Sequence, residues 1–414
     1  MDNISKFILK NNLISNLAFK IDRNIKKFKL KFVDFKYDDA IEPTLKFTEI
    51  LEYNNNRKFR VNKNLCFAPK TSMIFSFDGN VYLCCENKSY PIGNITKQTV
   101  KEIWFGKQRI ELDNSINNNY NLSHGCISCE KKIKNKEYSL ALSQTFDLYT
   151  NQTESIYPSR LDFEIHNTCN LECVMCGGIY SSSIQANRNN EPAIKNLYGI
   201  DFVEQLEEFL PHVKYINLIG GEPTLIKLYY DIMERVINVN PKCLIHLQTN
   251  ISTLNDKFKN ILVKGNFQIG ISIDSLNKEI VQRIRKNIDF DIYMRNINFY
   301  VDLYTKNKIK LTVNTCPMPE NWMDVLDVID FCNQHKISIF FCIVNAPYFS
   351  SFQSATIEFI NTVIKTYNNK LLILPKRNYY EHNNYNRLKD LVLQIEAYQP
   401  LIIENERNRI FTNE

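Results

Sequence analysis

The chain has 414 residues, of which 44% are apolar and 23% charged, with a formal net charge of +6 and twelve cysteines. This is the make-up of an ordinary soluble protein of one to three domains, large enough for at least one full core. The charge is too mild for this length to mark a nucleic-acid binder, and no stretch is long and apolar enough to span a membrane. The start, "MDNISKFILKNNLISNLAFKI", has neither an apolar core nor a small-residue cleavage site, so no signal peptide is read and a cytoplasmic setting is expected. In that reducing compartment, clustered cysteines point to metal or redox chemistry rather than disulfides.

Residues 1–60 are basic, then mixed, and carry no motif; a short helix in an irregular arm is expected. Residues 61–135 differ. "MIFSFDGNVYLCC" reads as two short strands around an Asp-Gly turn. "TKQTVKEIWFGKQRIELDNSI" has the apolar spacing of one amphipathic helix, and "HGCISCEKK" closes the segment. So small a domain needs a metal staple.

From residue 158 to 347, strands and helices alternate. The strands read are "RLDFEI", "KYINLIG", "CLIHLQT", "FQIGISID", "IKLTVNT" and "SIFFCIV", with helical stretches such as "KLYYDIMERVINV" and "WMDVLDVIDFCNQ" between them. That order predicts an α/β fold with a parallel sheet and right-handed crossovers. Six units are too few for a closed eight-strand barrel, so an open, partial (β/α)6 barrel is expected. Phe267, Ile269, Ile271 and Ile273 share one strand face, and Gln268, Gly270, Ser272 and Asp274 share the other. With helices covering the outside, the polar face should line the barrel. A half-exposed antiparallel sheet is the alternative. Residues 348–414 read as a helical extension over the barrel's open edge or mouth.

The chemistry concentrates in "CNLECVMC", which directly follows the first barrel strand and holds Cys169, Cys173 and Cys176. Thiolates bind soft metals, and closed structural sites normally use four protein ligands. Three cysteines this close hold three corners of one cluster and leave one iron open for a small molecule. A zinc knuckle completed by His166 or a distant cysteine is the other reading.

The run Cys169-x3-Cys173-x2-Cys176 after a first strand resembles the signature of radical S-adenosylmethionine (SAM) enzymes. Further matches follow in that family's order: "GGEPTL" at 220–225, "ISIDS" on the fourth strand, and "QRIRKN". The resemblance implies a [4Fe-4S] cluster on the three cysteines, with SAM on its open iron. It assigns Gly220, Gly221 and Glu222 to the SAM amino group, Ser272 and Asp274 to the ribose, and Arg285 to the SAM carboxylate. Asn314 is carried over to ribose or substrate. Met175 stands where an aromatic residue is frequent, and its thioether can also pack on an adenine ring. For Ser272 and Asp274 the plain alternative is capping of a helix.

Upstream, Cys66-x12-Gly79-x4-Cys84 and the pair Cys126-x2-Cys129 resemble half of the SPASM, or twitch, auxiliary-cluster domain of peptide-modifying radical SAM enzymes. The resemblance implies a second [4Fe-4S] cluster, fully ligated by Cys66, Cys84, Cys126 and Cys129. Cys85 is then spare, or exchanges roles with Cys84, and zinc on the same four thiolates is the alternative. In most members this domain follows the barrel, whereas here it precedes it. The implied partners are an electron donor such as flavodoxin or ferredoxin and a peptide or protein side chain as substrate, the reaction being an oxidation or crosslink. A small molecule such as a sugar or nucleotide is the alternative, as is a non-catalytic iron–sulfur or zinc scaffold. Cys316, ending the fifth strand, is a candidate hydrogen donor of the kind an epimerase needs.

Overall fold

The computed structural model describes residues 43–57, 64–152 and 156–411. Of the expected arm, residues 1–42 and 58–60 lie outside the described residues, and one helix spans Phe47–Asn55. Nine strands form one sheet: β1 (Ser72–Ser76), β2 (Asn80–Tyr82), β3 (Gly93–Asn94), β4 (Arg160–Glu164), β5 (Tyr215–Leu218), β6 (Leu244–Thr249), β7 (Asn266–Ser272), β8 (Lys310–Thr315) and β9 (Ser338–Phe341). Their order is β3-β2-β1-β4-β5-β6-β7-β8-β9. From β4 to β9 every neighbouring pair is parallel, so the six expected strands form the expected open barrel sheet.

The upstream hairpin does not stand apart from that sheet. β1 and β2 pair antiparallel around Gly79, whose φ of +81° suits glycine. β1 then lies parallel to β4, from Ser72 opposite Arg160 to Ser76 opposite Glu164. All five residues of β1 are buried, a pattern a free hairpin cannot satisfy and a sheet position covered on both faces can. The single long helix expected over 96–116 is two helices, Val100–Trp104 and Lys107–Asn117. The break falls at Gly106, a poor helix former, whose N–H turns back to Ile103 O at 3.2 Å.

The apolar row Phe267, Ile269, Ile271 and Ile273 is buried in one continuous core that runs from Leu45 to Ile402. The opposite rows hydrogen-bond across the strands. His246 Nδ1 meets Asn217 Oδ1 at 2.8 Å, Gln248 Nε2 donates to Ser272 Oγ at 2.9 Å, and Asn314 Nδ2 donates to Gln248 Oε1. The helical extension covers the open edge. Asn384, on the helix Tyr379–Glu396, accepts from Ile339 N and donates to Ile337 O, each at 2.9 Å. These contacts satisfy an edge strand that would otherwise offer its backbone to another chain.

Candidate active site

The cysteine run leaves the C-terminal end of β4 as an irregular loop, and polar side chains fix its course. Asn167 Nδ2 donates to Gly178 O and Gln185 Oε1 at 2.9 and 2.8 Å. Ser183 Oγ donates to Cys169 O at 2.8 Å, and Arg188 Nη2 donates to the carbonyls of Glu172 and Cys173 at 2.9 and 2.7 Å. Glu172 is the main anchor. Its Oε1 accepts from Asn187 and Asn287, both at 2.9 Å, and its Oε2 faces Lys286 Nζ at 3.1 Å. Burial pushes this carboxyl up, but the hydrogen bonds from Asn187, Asn287 and Lys286 outweigh it and hold the pKa down to about 2. Sequence reading missed Glu172, because one carboxylate inside a cysteine run has no spacing signal.

Burial pushes the Cys173 thiol up to about 12 and Cys176 to about 11, and it raises Cys169 as well. The three thiols also raise one another, as close like charges do. Such a group ionises together only around a cation, and that is the chemistry of a thiolate-bound iron cluster. Asn250 Nδ2 lies 3.6 Å from Cys169 Sγ, a sulfur contact of the kind that tunes such clusters. His166, the fourth ligand in the zinc reading, has Nδ1 engaged by Thr168 N at 3.1 Å.

The two glycines after β5 pack on this loop rather than on open space. A Cβ on Gly220, whose φ is +104°, would lie 2.6 Å from His166 O; one on Gly221 would lie 2.2 Å from Thr168 O. Gly221 N and Glu222 N donate to those same carbonyls at 3.2 and 2.6 Å. These two glycines therefore bring the end of β5 against the cysteine loop's own backbone. Glu222 is fully buried. Its Oε1 accepts from Thr224 N, Thr224 Oγ1 and Thr249 Oγ1 at 3.1, 2.7 and 2.8 Å, and Oε2 accepts from Asn250 N at 2.7 Å. Burial raises its pKa against these bonds. Glu222 thus joins the ends of β5 and β6 beneath the cysteines.

Asp274 and Arg285, expected at separate parts of the cofactor, are paired with each other, Nη2 to Oδ2 at 2.7 Å with both side chains buried. Asp274 Oδ1 also accepts from Cys316 N at 2.8 Å. The guanidinium lies close enough to Cys173 to pull its pKa down against burial. Arg285 Nε has no hydrogen-bond partner among the described residues. A buried, unsatisfied donor beside the thiols suits an anionic group bound there. Ser272 and Asn314 sit lower on the polar face, bridged by Gln248. Met175 packs with Ile284, Met318 and Val344, and Cys316 packs against the same group.

The upstream cysteines meet as well. Cys66, Cys84, Cys126 and Cys129 line one cavity with Leu65, Leu83, Leu112 and Ile116. Cys85 is not among its lining; it is exposed, and its pKa is lowered by Cys84 beside it. Ala68 N lies 3.4 Å from Cys66 Sγ and Asn87 Nδ2 lies 3.5 Å from Cys126 Sγ. Burial raises the Cys66 thiol and pushes Cys126 up to about 12. Among the described residues no three His, Cys, Asp or Glu side chains are drawn as tightly together as ligands of a single ion. A cluster of several irons holds its cysteines farther apart than one ion does. None of the twelve cysteines is in a disulfide, and no described helix is long and apolar enough to cross a membrane.

Comparison with known proteins finds a family model over each of the two cysteine sets. The family model for the radical SAM superfamily matches residues 163–332, and that for SPASM, an iron–sulfur cluster-binding domain, matches residues 66–130. A probable GTP 3',8-cyclase of Methanocaldococcus jannaschii is 27% identical over 172 residues, 42% of this chain and 54% of the relative. A GTP 3',8-cyclase of Clostridium perfringens is 22% identical over 184 residues, 44% of this chain and 54% of the relative. The chain thus spans about half the length of the curated relatives it matches. Among solved structures, Streptococcus suis SuiB bound to S-adenosylmethionine has a TM-score of 0.40 at 14% identity, over 62% of this chain and 61% of that one. Native anSMEcpe with bound AdoMet has a TM-score of 0.39 at 18% identity, over 51% of this chain and 61% of that one. The iron–sulfur match sets the zinc alternatives aside. The cofactors are a SAM-binding [4Fe-4S] cluster, an auxiliary iron–sulfur cluster and SAM. The chain carries a radical SAM domain, with an iron–sulfur SPASM domain ahead of it in sequence.

Proposed function

We propose that the chain is a radical SAM enzyme acting on a small polar molecule, with Cys169, Cys173 and Cys176 holding the SAM-binding cluster and Cys66, Cys84, Cys126 and Cys129 the auxiliary one. When bound, the first cluster supplies the electron that cleaves SAM to methionine and a 5'-deoxyadenosyl radical, which takes a hydrogen atom from the substrate. The protein's part is position and exclusion of water. Glu172 and Arg188 fix the loop that carries the thiols. Arg285 offers a buried cation and a free N–H beside Cys173. The ladder of Asn217, His246, Gln248, Ser272 and Asn314 offers neutral donors and acceptors inside the barrel. The electron comes from a cytoplasmic carrier of the ferredoxin or flavodoxin type.

The relatives' names support a small molecule over the peptide first read from the auxiliary domain, and a ring closure over a net oxidation. The ladder supports the same choice, since side-by-side amides and hydroxyls suit a polar ring or sugar. Two cations beside β4 are already paired, Arg160 with Asp162 and half-exposed Lys88 with Glu164, both at 2.8 Å. The three thiols set together on one half-buried loop carry the reading. The test is Cys169, Cys173 and Cys176 replaced together by serine. The variant is expected to form no 5'-deoxyadenosine from SAM under reducing, oxygen-free conditions, and continued formation would end the radical reading. For substrate class, the native enzyme is given small-molecule and peptide fractions of a cell extract. Faster SAM cleavage with the peptide fraction alone would restore the peptide reading.

A further inference from the structure

β8 and β9 end side by side at the barrel mouth. Their register sets Thr312 opposite Ser338 and Asn314 opposite Phe340. Two places further, Cys316 stands opposite Cys342. The ladder continues that far, since Cys342 N donates to Thr315 O at 2.8 Å. Residues two apart share a strand face, so both thiols stand on the face of Thr312 and Asn314. Each thiol is near enough to shift the other's pKa. Cys316 is the inner member. Its N–H donates to Asp274 Oδ1 at 2.8 Å, and its side chain packs on Ile284, Met318 and Val344, the group that Val174 and Met175 of the cysteine loop also pack against. Cys342 is exposed. One thiol therefore lies inward, on the apolar group behind the cysteine loop, and its partner reaches solvent.

We propose that Cys316 and Cys342 work as one dithiol that gives a hydrogen atom to a carbon radical in the barrel and closes to a disulfide. This rests on the radical reading above and goes beyond it, since ring closure leaves a radical that must be quenched. The Cys316 S–H bond breaks and a C–H bond forms on the radical carbon. The Cys316 sulfur then bonds to Cys342, which enters as thiolate after its proton leaves to solvent. Cys316 beside it holds the Cys342 pKa below the ordinary thiol value, which helps that proton leave. The new S–S bond carries one surplus electron, for which an oxidised iron–sulfur cluster held by Cys169, Cys173 and Cys176 would be the acceptor. In sum, two thiols and a carbon radical give a C–H bond, a disulfide, one proton and one electron. A dithiol reductant reopens the disulfide by exchange at the exposed Cys342.

The first test needs no SAM. Cluster-loaded full-length protein is held without oxygen in graded mixtures of reduced and oxidised dithiothreitol, trapped with N-ethylmaleimide and digested. A peptide joined through Cys316 and Cys342 is expected to rise as a two-electron transition, and to be lost in Cys316→Ser and in Cys342→Ser. Both thiols trapped separately at the oxidising end, with the clusters intact, would overturn the proposal while leaving the radical reading standing. The second test is SAM cleavage in D2O without substrate, where the nucleoside radical takes the place of the substrate radical. Wild-type 5'-deoxyadenosine is expected to carry one deuterium, with the joined peptide accumulating beside it, and the Cys316→Ser product to carry none. Equal deuterium in both would overturn the donor role. No 5'-deoxyadenosine from either protein would sink this proposal and the reading beneath it together.

Discussion

A carboxylate in the middle of a cysteine loop opposes cluster binding unless its charge is held elsewhere, and Glu172 is turned away onto Asn187, Asn287 and Lys286. Because its folded pKa, about 2, lies below an unfolded value of about 4.3, the carboxylate stabilises the fold above that unfolded value and ceases to as pH falls toward the folded one. Glu172→Gln is therefore expected to cost about 1.5–3 kcal/mol near neutral pH, the range for hydrogen bonds to a charged group. In thermal melts of the metal-free protein, its deficit in Tm should narrow as pH drops below about 4. A deficit that stayed constant across that range would mean the charge contributes nothing. Cys84 and Cys85 make a second contrast between adjacent residues. Only Cys84 lines the auxiliary cavity, so Cys84→Ser should lower bound iron by up to about half and Cys85→Ser should leave it unchanged. Iron assays on the two purified variants decide it, and equal losses would mean the pair shares the ligand role.

At the scale of elements, the helix Lys278–Ile284 sets the cysteine loop from behind. Asn277 caps it, Oδ1 accepting from Glu279 N at 2.9 Å and Ile280 N at 3.3 Å. At its far end Ile284 O accepts from Val174 N at 2.9 Å, and Lys286 O accepts from Glu172 N at 3.1 Å. Loss of the cap in Asn277→Ala should cost about 0.5–2 kcal/mol and weaken SAM binding with it, because Arg285 leaves the same helix. Asn277→Ser should recover most of both, by melting curves and calorimetry; a variant that loses stability but binds SAM normally would uncouple helix from loop. Strands β4 to β9 were legible because alternation and run length need only local sequence. The cysteine sets were legible because ligand spacing is local too. What could not be read was contact between distant segments. The motif that holds Gly220 and Gly221 does not record that they pack on the backbone of residues 166–168. Asp274 and Arg285 were read as two separate contacts, because nothing in either motif records the other's place.

Over the whole molecule, the position of the auxiliary segment follows from the sheet. A hairpin that precedes the barrel in sequence extends it in space, with β1 parallel to β4 along the full length of both strands. Phe75 stacks on Phe163 with ring centroids 5.2 Å apart, and Phe202 meets both rings edge-on. The first barrel strand is thus an interior strand, and its loop of three thiols starts where β1 has already fixed its register. At the other end of the sheet, Asn384 and its helix close the β9 edge. Removing residues 1–157 would therefore uncover both the backbone edge of β4 and the apolar face of Phe163. An exposed edge of this kind templates pairing with other chains. The shortened chain is expected to aggregate, seen as loss of the monomer peak in size-exclusion chromatography, and to bind no SAM even after cluster reconstitution. A monomeric fragment that held its cluster and bound SAM would show that β4 takes its register from β5 alone, and that the auxiliary segment is attached to the barrel without being part of it.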